Sequence, residues 1–424
     1  MLGFYNSWVL GTLALYYYGP IPWSGQGAPW VAVIVLSALL FFNVGAITGR
    51  RFPALPQHDF ALLERSPIRW AVAVLFVLLS AFHTYSTTHR LIFNPAEYSL
   101  DFGNIYAQYQ QVLRDRSTDL LEQLVLLTKA LMMPAAFLMI VIAFRRERLL
   151  LWLLVFPLVA SSMMRGTDKE TADLVIYYLI LAFYHKMIGR QFILVMVGIA
   201  GALSLFTIRK LARFEGVDLQ CLPSMELACF DFNNWVSVNL SPGMEFLRII
   251  LTNYLTQGLE GLHRATQLPM EFTYFTGHMQ PVKDKLCDIG GLLCGVETFK
   301  ERLPAAGWDT SFRWTSAYTS IANDFHWLFV PFYTFCMGLF FGVSERSWRA
   351  TGDKLSLAIL LLVSLFIVYS PANMQLTVSL EWSAVYLGLF LWQGWRVIYH
   401  APSYPRAGAE RVVPLQDATG EAAQ

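Results

Sequence analysis

Charge is scarce in this chain. Only 14% of its 424 residues are Asp, Glu, Lys or Arg, against 55% hydrophobic and 15% aromatic residues. No soluble core of this size needs so much apolar surface, so lipid is the expected solvent for most of the chain. Basic and acidic residues nearly cancel, leaving a formal net charge of +1. That gives no pull toward nucleic acid, and no RNP-like, zinc-finger or helix-turn-helix pattern occurs, so nucleic acid is excluded as a partner. GxSxG, HExxH and a Walker loop are also missing. So is the DxD of metal-dependent sugar-nucleotide enzymes; Asp168-Lys169-Glu170 is a DxE with cations around it, a poor divalent site. No metal or cofactor is expected. Neither an internal repeat nor a matched pair of Gly/Pro-broken spans marks an inverted-repeat carrier. The amino terminus lacks the basic region and cleavage site of a secretory signal, so it is expected to stay as a first span.

What is present is one apolar run after another. A bilayer requires about 20 mostly apolar residues per helix. Ten segments meet or approach this, at 4–18, 29–48, 70–85, 121–144, 149–164, 172–188, 192–208, 314–343, 355–369 and 376–398. Short connections rich in Arg and Lys stay cytoplasmic. Arg50, Arg51, Arg65 and Arg69 follow the second span; Arg145, Arg146 and Arg148 the fourth; Lys186 and Arg190 the sixth; Arg346, Arg349 and Lys354 the eighth; Arg396, Arg406 and Arg411 lie at or beyond the end of the last. All fall on one face of a ten-span chain, with both termini cytoplasmic. The expected organisation is therefore an all-α polytopic membrane protein: seven spans in 1–208, a large outward loop at 209–313, three spans in 314–398 and a disordered cytoplasmic tail at 399–424.

The outward loop is oxidising territory. Of the five cysteines, Cys221 and Cys229 lie close together in the loop, as do Cys287 and Cys294, and Cys336 falls in the eighth span. The simplest pairing gives two short disulfides, one of three possible pairings for four cysteines. Zinc is the rival, but no CxxC or spaced His pair accompanies them.

Several polar residues stand where lipid would not place them. Arg165-Gly-Thr-Asp-Lys-Glu-Thr turns between two apolar spans. Asp168 or Thr167 could cap the next helix and Glu170 favour its positive end. That leaves Arg165 unexplained, and an Arg beside a helix N-terminus is well placed to hold phosphate. Arg209, Lys210 and Arg213 open the loop, either snorkelling to outer headgroups or binding a substrate phosphate. PGMEFLRIILTNYLTQGLEGLHRA has helical periodicity. Phe246, Ile249, Ile250, Leu255, Leu259 and Leu262 form an apolar stripe, and Arg248, Asn253, Gln257, Glu260 and Arg264 fall on other faces. It reads either as a surface amphipathic helix or as one presenting polar groups to a groove. Asp324 and His326 lie about three turns into the eighth span and should face the bundle interior, as should Lys129 in the fourth.

Three of these stretches carry a resemblance. RGTDKE after a mid-chain span, NYLTQGLEGLHRA in the outward loop, and WTSAYTSIANDFHWLF running on to MGLFFG resemble the O-antigen polymerase family, the bacterial oligosaccharide repeat-unit polymerases. Size, many spans and one dominant periplasmic loop also resemble that family, over roughly 161–342. One departure is His326, where a glycine is expected after Asp-Phe, which counts against a catalytic role for that residue. The resemblance implies a GT-C-like, inverting, metal-independent glycosyltransferase of the bacterial inner membrane with its site facing the periplasm. It would transfer a growing glycan from undecaprenyl pyrophosphate to the terminal hydroxyl of a new lipid-linked repeat unit, helped by a chain-length-regulating co-polymerase.

That chemistry suits the polar residues. Arg165, Arg248 and Arg264 would meet the departing pyrophosphate, with Lys210 and Arg213 guiding the headgroup. Asp324 is the first choice of base, Asp168 or Glu170 the second. Tyr254, Gln257, Tyr274, Trp314 and His326 would contact sugar, and the helix around Tyr254 would close as a lid over Arg165 and Asp324. The rivals are an O-antigen ligase, sharing the donor but not the acceptor, and a lipid-linked oligosaccharide flippase, which would set charges through both leaflets.

Overall fold

The structure, a computed structural model, describes residues 1–60, 63, 65–98, 105, 108, 109, 111, 112, 120–167, 169–187, 193, 197, 198, 200, 201, 204, 221, 229–231, 242–310 and 313–400. Most of the expected seventh span and of the tail lie outside them. Among the described residues the chain forms helices and no strands. In chain order these are α1 (Leu2–Tyr18), α2 (Pro29–Gly49), α3 (Ser66–Thr88), α4 (Leu120–Ala143), α5 (Arg148–Met164), α6 (Lys169–Tyr184), α7 (Pro242–Ala265), α8 (Gln280–Gly290), α9 (Phe299–Arg302), α10 (Ala317–Phe325), α11 (Phe329–Thr351), α12 (Lys354–Tyr369) and α13 (Leu380–His400).

A helix that is apolar all round is either packed inside the protein or faces lipid. Here it is α12, where every residue from Leu355 to Ile367 is buried and α1, α4, α6, α11 and α13 pack around it. The outer helices turn apolar side chains outward: Trp30, Val33, Leu36 and Leu40 on α2, Val74, Leu75 and Leu78 on α3, and Leu131 on α4 are exposed. By length and composition α2, α3 and α4 could each cross a membrane, and α10 with α11 would make a fourth crossing if counted as one span.

That pair corrects the sequence reading. The expected continuous span at 314–343 is two helices bent by 111°. The break falls at His326, whose φ of 83° and ψ of 159° are those of a position suited to glycine. His326 is exposed there, not interior, whereas Asp324 is fully buried.

α2 and α11 run parallel and touch backbone to backbone. A Cβ on Gly45 or Gly49 would meet the carbonyl of Phe335 or Leu339 at 2.1 and 2.3 Å; one on Gly338 or Gly342 would meet that of Phe42 or Ala46 at 2.1 and 2.2 Å. Two small-xxx-small ridges thus interlock, which only glycine permits at this spacing. Their shared end holds the arginines expected to be cytoplasmic. Arg50 donates through Nε to Glu345 at 2.8 Å, and Arg349 pairs with the same carboxylate at 2.8 Å. Arg396, nearly inaccessible, pairs with the buried Asp353 at 2.8 Å and donates to the Pro56 carbonyl at 2.5 Å.

α7 is not a surface helix. Its whole stretch from Thr256 to Leu262 is buried, and it packs on α1, α2 and α10. Its polar face is satisfied from a distance in sequence: Glu260 accepts from Tyr16 Oη at 3.0 Å, from the Gly25 amide at 3.0 Å and from Ser24 Oγ. Thr256 Oγ1 accepts from Trp23 Nε1 at 2.9 Å. Periodicity finds the apolar stripe but cannot tell whether the other face meets water or protein. Cys221–Cys229 and Cys287–Cys294 are disulfides, with Cα separations of 4.4 and 4.9 Å, and Cys336 is free.

Candidate active site

The turn from α5 to α6 is a capped helix end. Gly166 takes a left-handed φ of 63° and its amide donates to Met163 O at 2.9 Å, while the Thr167 amide reaches Ser162 O at 2.9 Å. This sharp stop turns Arg165 back along α5. Its Nε donates to Ser161 O at 3.1 Å and its guanidinium pairs with Glu170. Burial alone would lower the Arg165 pKa, but the Glu170 carboxylate beside it raises it above its ordinary value, so the group stays cationic. A second ion pair, Lys129 with Glu381 at 3.1 Å, joins α4 to α13. Both pairs, with Ser80, Ser161 and Ser379, line a cavity of about 30 Å³. A water needs roughly 10–15 Å³, so the space holds one or two. Ser80 Oγ, buried there, has no hydrogen-bond partner among the described residues.

Lys169 opens α6 and differs from the other cations here. It lies in the field of Glu170, Asp173, Arg165 and Glu381 but makes no hydrogen bond or close ion pair among the described residues. One turn on, the buried Asp173 accepts two hydrogen bonds from Gln375 Nε2, at 3.0 and 2.8 Å.

Gln375 begins the segment that links this cluster to a second one. Thr377 Oγ1 donates to the carbonyl of His278, and the His278 ring is held against Asp324. Asp324 is saturated: Oδ1 accepts from Thr273 Oγ1 at 2.6 Å and the Gly277 amide at 2.7 Å, and Oδ2 from the His278 amide at 3.0 Å and the ring Nδ1. With Nδ1 facing the Asp324 carboxylate, the neutral ring that donates from Nδ1 carries its lone pair on Nε2. That nitrogen makes no hydrogen bond among the described residues, and the ring edges against Tyr333 and Tyr386, with centroids at 5.8 and 6.1 Å. Gly277 fits the cradle without a side chain; a Cβ there would meet Thr273 Oγ1 at 2.3 Å and Asn323 Cβ at 2.5 Å.

The remaining candidates scatter. Arg264 pairs with Glu260 at 3.0 Å, and Arg248 pairs with Glu245 and stacks over Phe230 at 5.3 Å. Each guanidinium named for pyrophosphate thus has a carboxylate beside it. Tyr254 and Trp314 stand 4.7 Å apart, with Gln257 Oε1 accepting from the Trp314 amide at 3.4 Å, so these three come together. Tyr274 and His326 are exposed on separate turns. Asp168, Lys210 and Arg213 lie outside the described residues. The partners of Arg165 and Asp324 come from α5, α6 and 273–278, not from α7 as a lid over them would require. Sequence reasoning missed Lys169, His278 and Gln375. No periodicity flags a lone His in so short a helical turn, and its partner lies 46 residues on.

No group of three or more His, Cys, Asp or Glu side chains placed to hold a metal occurs among the described residues. Comparison with family models, curated proteins and solved structures finds no match. The residues themselves carry the functional argument.

Proposed function

We propose that the chain is an O-antigen polymerase, a ten-span, GT-C-like glycosyltransferase of the bacterial inner membrane. In this reading the arginine-rich end of the bundle faces the cytoplasm, and the α5–α6 hairpin faces the periplasm. One observation carries the proposal: residues 375–381 touch both a cluster of paired charges that includes Arg165 and Lys129 and a His–Asp dyad. Gln375 binds Asp173, Thr377 binds His278, and Ser379 and Glu381 line the cavity beside Arg165. Cations able to exchange a carboxylate for phosphate, and a proton acceptor nearby, are what displacement of a phosphate leaving group by a hydroxyl requires.

The roles follow from that placement. The acceptor hydroxyl attacks the anomeric carbon of the donor glycan, the new C–O bond forms, and the bond to pyrophosphate breaks with its electron pair on the departing oxygen. His278 Nε2 takes the hydroxyl proton while Asp324 holds Nδ1 and stabilises the imidazolium. Lys169 and Arg165 meet the charge on pyrophosphate, Arg165 exchanging its bond to Glu170. Tyr254, Trp314 and Gln257 form a face suited to sugar rings. Asp324, the first choice from sequence, acts through His278.

Cells lacking the protein are expected to accumulate single lipid-linked repeat units and to attach at most one to the surface lipid. A gel of surface polysaccharide reads this out. Polymer retained on undecaprenyl would indicate a ligase, and normal long-chain glycan would remove the proposal. Arg165→Ala should abolish polymer while the protein remains inserted.

A further inference from the structure

The register of α2 against α11 fixes a depth. Gly338 packs between Phe42 and Ala46, and Gly342 between Ala46 and Arg50, so Phe329, which opens α11, stands level with Val35. That is about six residues inside Pro29, where α2 begins, or about 9 Å at 1.5 Å per residue. α2 is long and apolar enough to cross a membrane. The elbow between α10 and α11 therefore lies just inside the bilayer boundary, at the end away from the arginines, and its 111° bend sends α10 sideways there.

The outer side of this elbow is apolar. Leu328 is 84% exposed and Phe332, one turn on, 53%. A second apolar piece is fastened to α10 from outside it. Thr273 Oγ1 and the Gly277 amide donate to Asp324 at 2.6 and 2.7 Å, and Thr276 Oγ1 closes back on the Thr273 carbonyl at 2.7 Å. Between these anchors Tyr274 and Phe275 hold left-handed φ of 49° and 65°, rare for residues with a side chain. The pinned turn presents Phe272, Tyr274 and Phe275 together, each about half exposed, with the other two ring centroids 5.1 and 5.6 Å from that of Phe272. The adjoining carboxylate, Glu271, is neutralised by Arg302 at 2.9 Å.

We propose that the 272–275 turn and the elbow form a wedge seated in the lipid bilayer, at the boundary of headgroups and hydrocarbon, and that this wedge holds the His278–Asp324 dyad at headgroup depth. The depth selects lipid as the occupant. Phe332 stands level with the exposed Leu36 and Leu40 of the neighbouring α2, so the patch begins where the lipid-facing exterior is already defined. Apolar faces of interfacial segments sink ~5–10 Å into that boundary, which matches the position of the elbow. Tyr274 has the ring and hydroxyl that favour a membrane–water interface. The wedge is independent of the chemistry proposed for the dyad.

The test reads depth. In full-length Cys336→Ser protein, which lacks the free thiol, a thiol-reactive nitrobenzoxadiazole dye is placed at Tyr274→Cys, at Leu328→Cys or, as a control, at Ala305→Cys in the exposed 303–306 turn. Each protein is set in nanodiscs of phosphatidylethanolamine and phosphatidylglycerol. Nitroxide-bearing lipid should remove most of the emission at the first two positions and little at the control, and iodide in the buffer should do the opposite. Iodide quenching without lipid quenching at the first two positions would mean a face in water, open to a partner protein or a glycan. Protection from both quenchers would mean a second copy over the patch. Either result overturns the inference, as does equal lipid quenching at all three positions; lipid quenching at Leu328→Cys alone would leave the elbow in the bilayer and overturn the wedge. Lipid-quenched probes in a protein that forms no polymer would keep the wedge and remove the polymerase reading. Polymer formed with both probes in water would do the reverse.

Discussion

The two ends of the helical bundle use the same kinds of residue, buried cations and carboxylates, to opposite effect. At the arginine-rich end Asp353 accepts from the His58 amide and the Ser356 amide, each at 3.0 Å, from Ser356 Oγ at 2.6 Å, and from Arg396. Arg396 donates onward to Gln393 Oε1 at 3.0 Å and to Pro56 O. Charge, donors and acceptors close on one another, and the result is a lock on the ends of α12 and α13. At the hairpin end the ion pairs Arg165–Glu170 and Lys129–Glu381 border a water-sized cavity, and among the described residues Ser80 and Thr171 have hydroxyls without a hydrogen-bond partner and Lys169, though in the field of Glu170, Asp173 and Glu381, makes no close ion pair. A buried charge is costly unless paired. The lock meets that cost internally, whereas the hairpin end meets it less completely among the described residues.

Breaking the lock should give the largest effect. Arg396→Ala or Asp353→Ala strands a buried charge and should destabilise the fold by about 3–5 kcal/mol, read by thermal melting in detergent. Arg165→Ala, at the half-open end, should shift the melt far less; equal losses at both ends would erase the contrast.

His278→Gln should lower polymer formation about 10²–10⁴-fold, the range of a positioned base, with the melt unchanged. Unaltered turnover would remove the dyad from the chemistry. Lys169→Met should cost about 10²-fold by the measure of a single charge-stabilising group. Lys285→Met, whose ammonium pairs with Asp288 at 2.7 Å on α8, should cost nothing. Equal losses would mean that charge anywhere suffices.

The smallest effect concerns backbone strain near the site. His326→Gly should stabilise by about 1 kcal/mol, since a non-glycine residue at its φ of 83° is strained. A lower melting temperature would show that the ring does more than fill the turn.

What the sequence made legible were features that local pattern controls. Apolar runs placed α1, α2, α4 and α5 within a few residues, because bilayer-length periodicity is written in consecutive side chains. The arginine connections marked one end of the bundle for the same reason. The bend at His326 left only a trace, a missing glycine, since a polar helix start continuous with an apolar run reads as one span. The site's partners were illegible because they are far apart in sequence: Asp173 and Gln375 by 202 residues, Lys129 and Glu381 by 252. Charged residues on apolar helices announced that partners must exist, but not which ones.

The central claim is that the hairpin end transfers glycan from a lipid pyrophosphate, with His278 as base. Purified protein in liposomes, given lipid-linked repeat units alone, should build a ladder of polymer that His278→Gln and Arg165→Ala lose while both variants remain folded. Folded wild-type protein that builds no ladder, or a ladder indifferent to both substitutions, would contradict it.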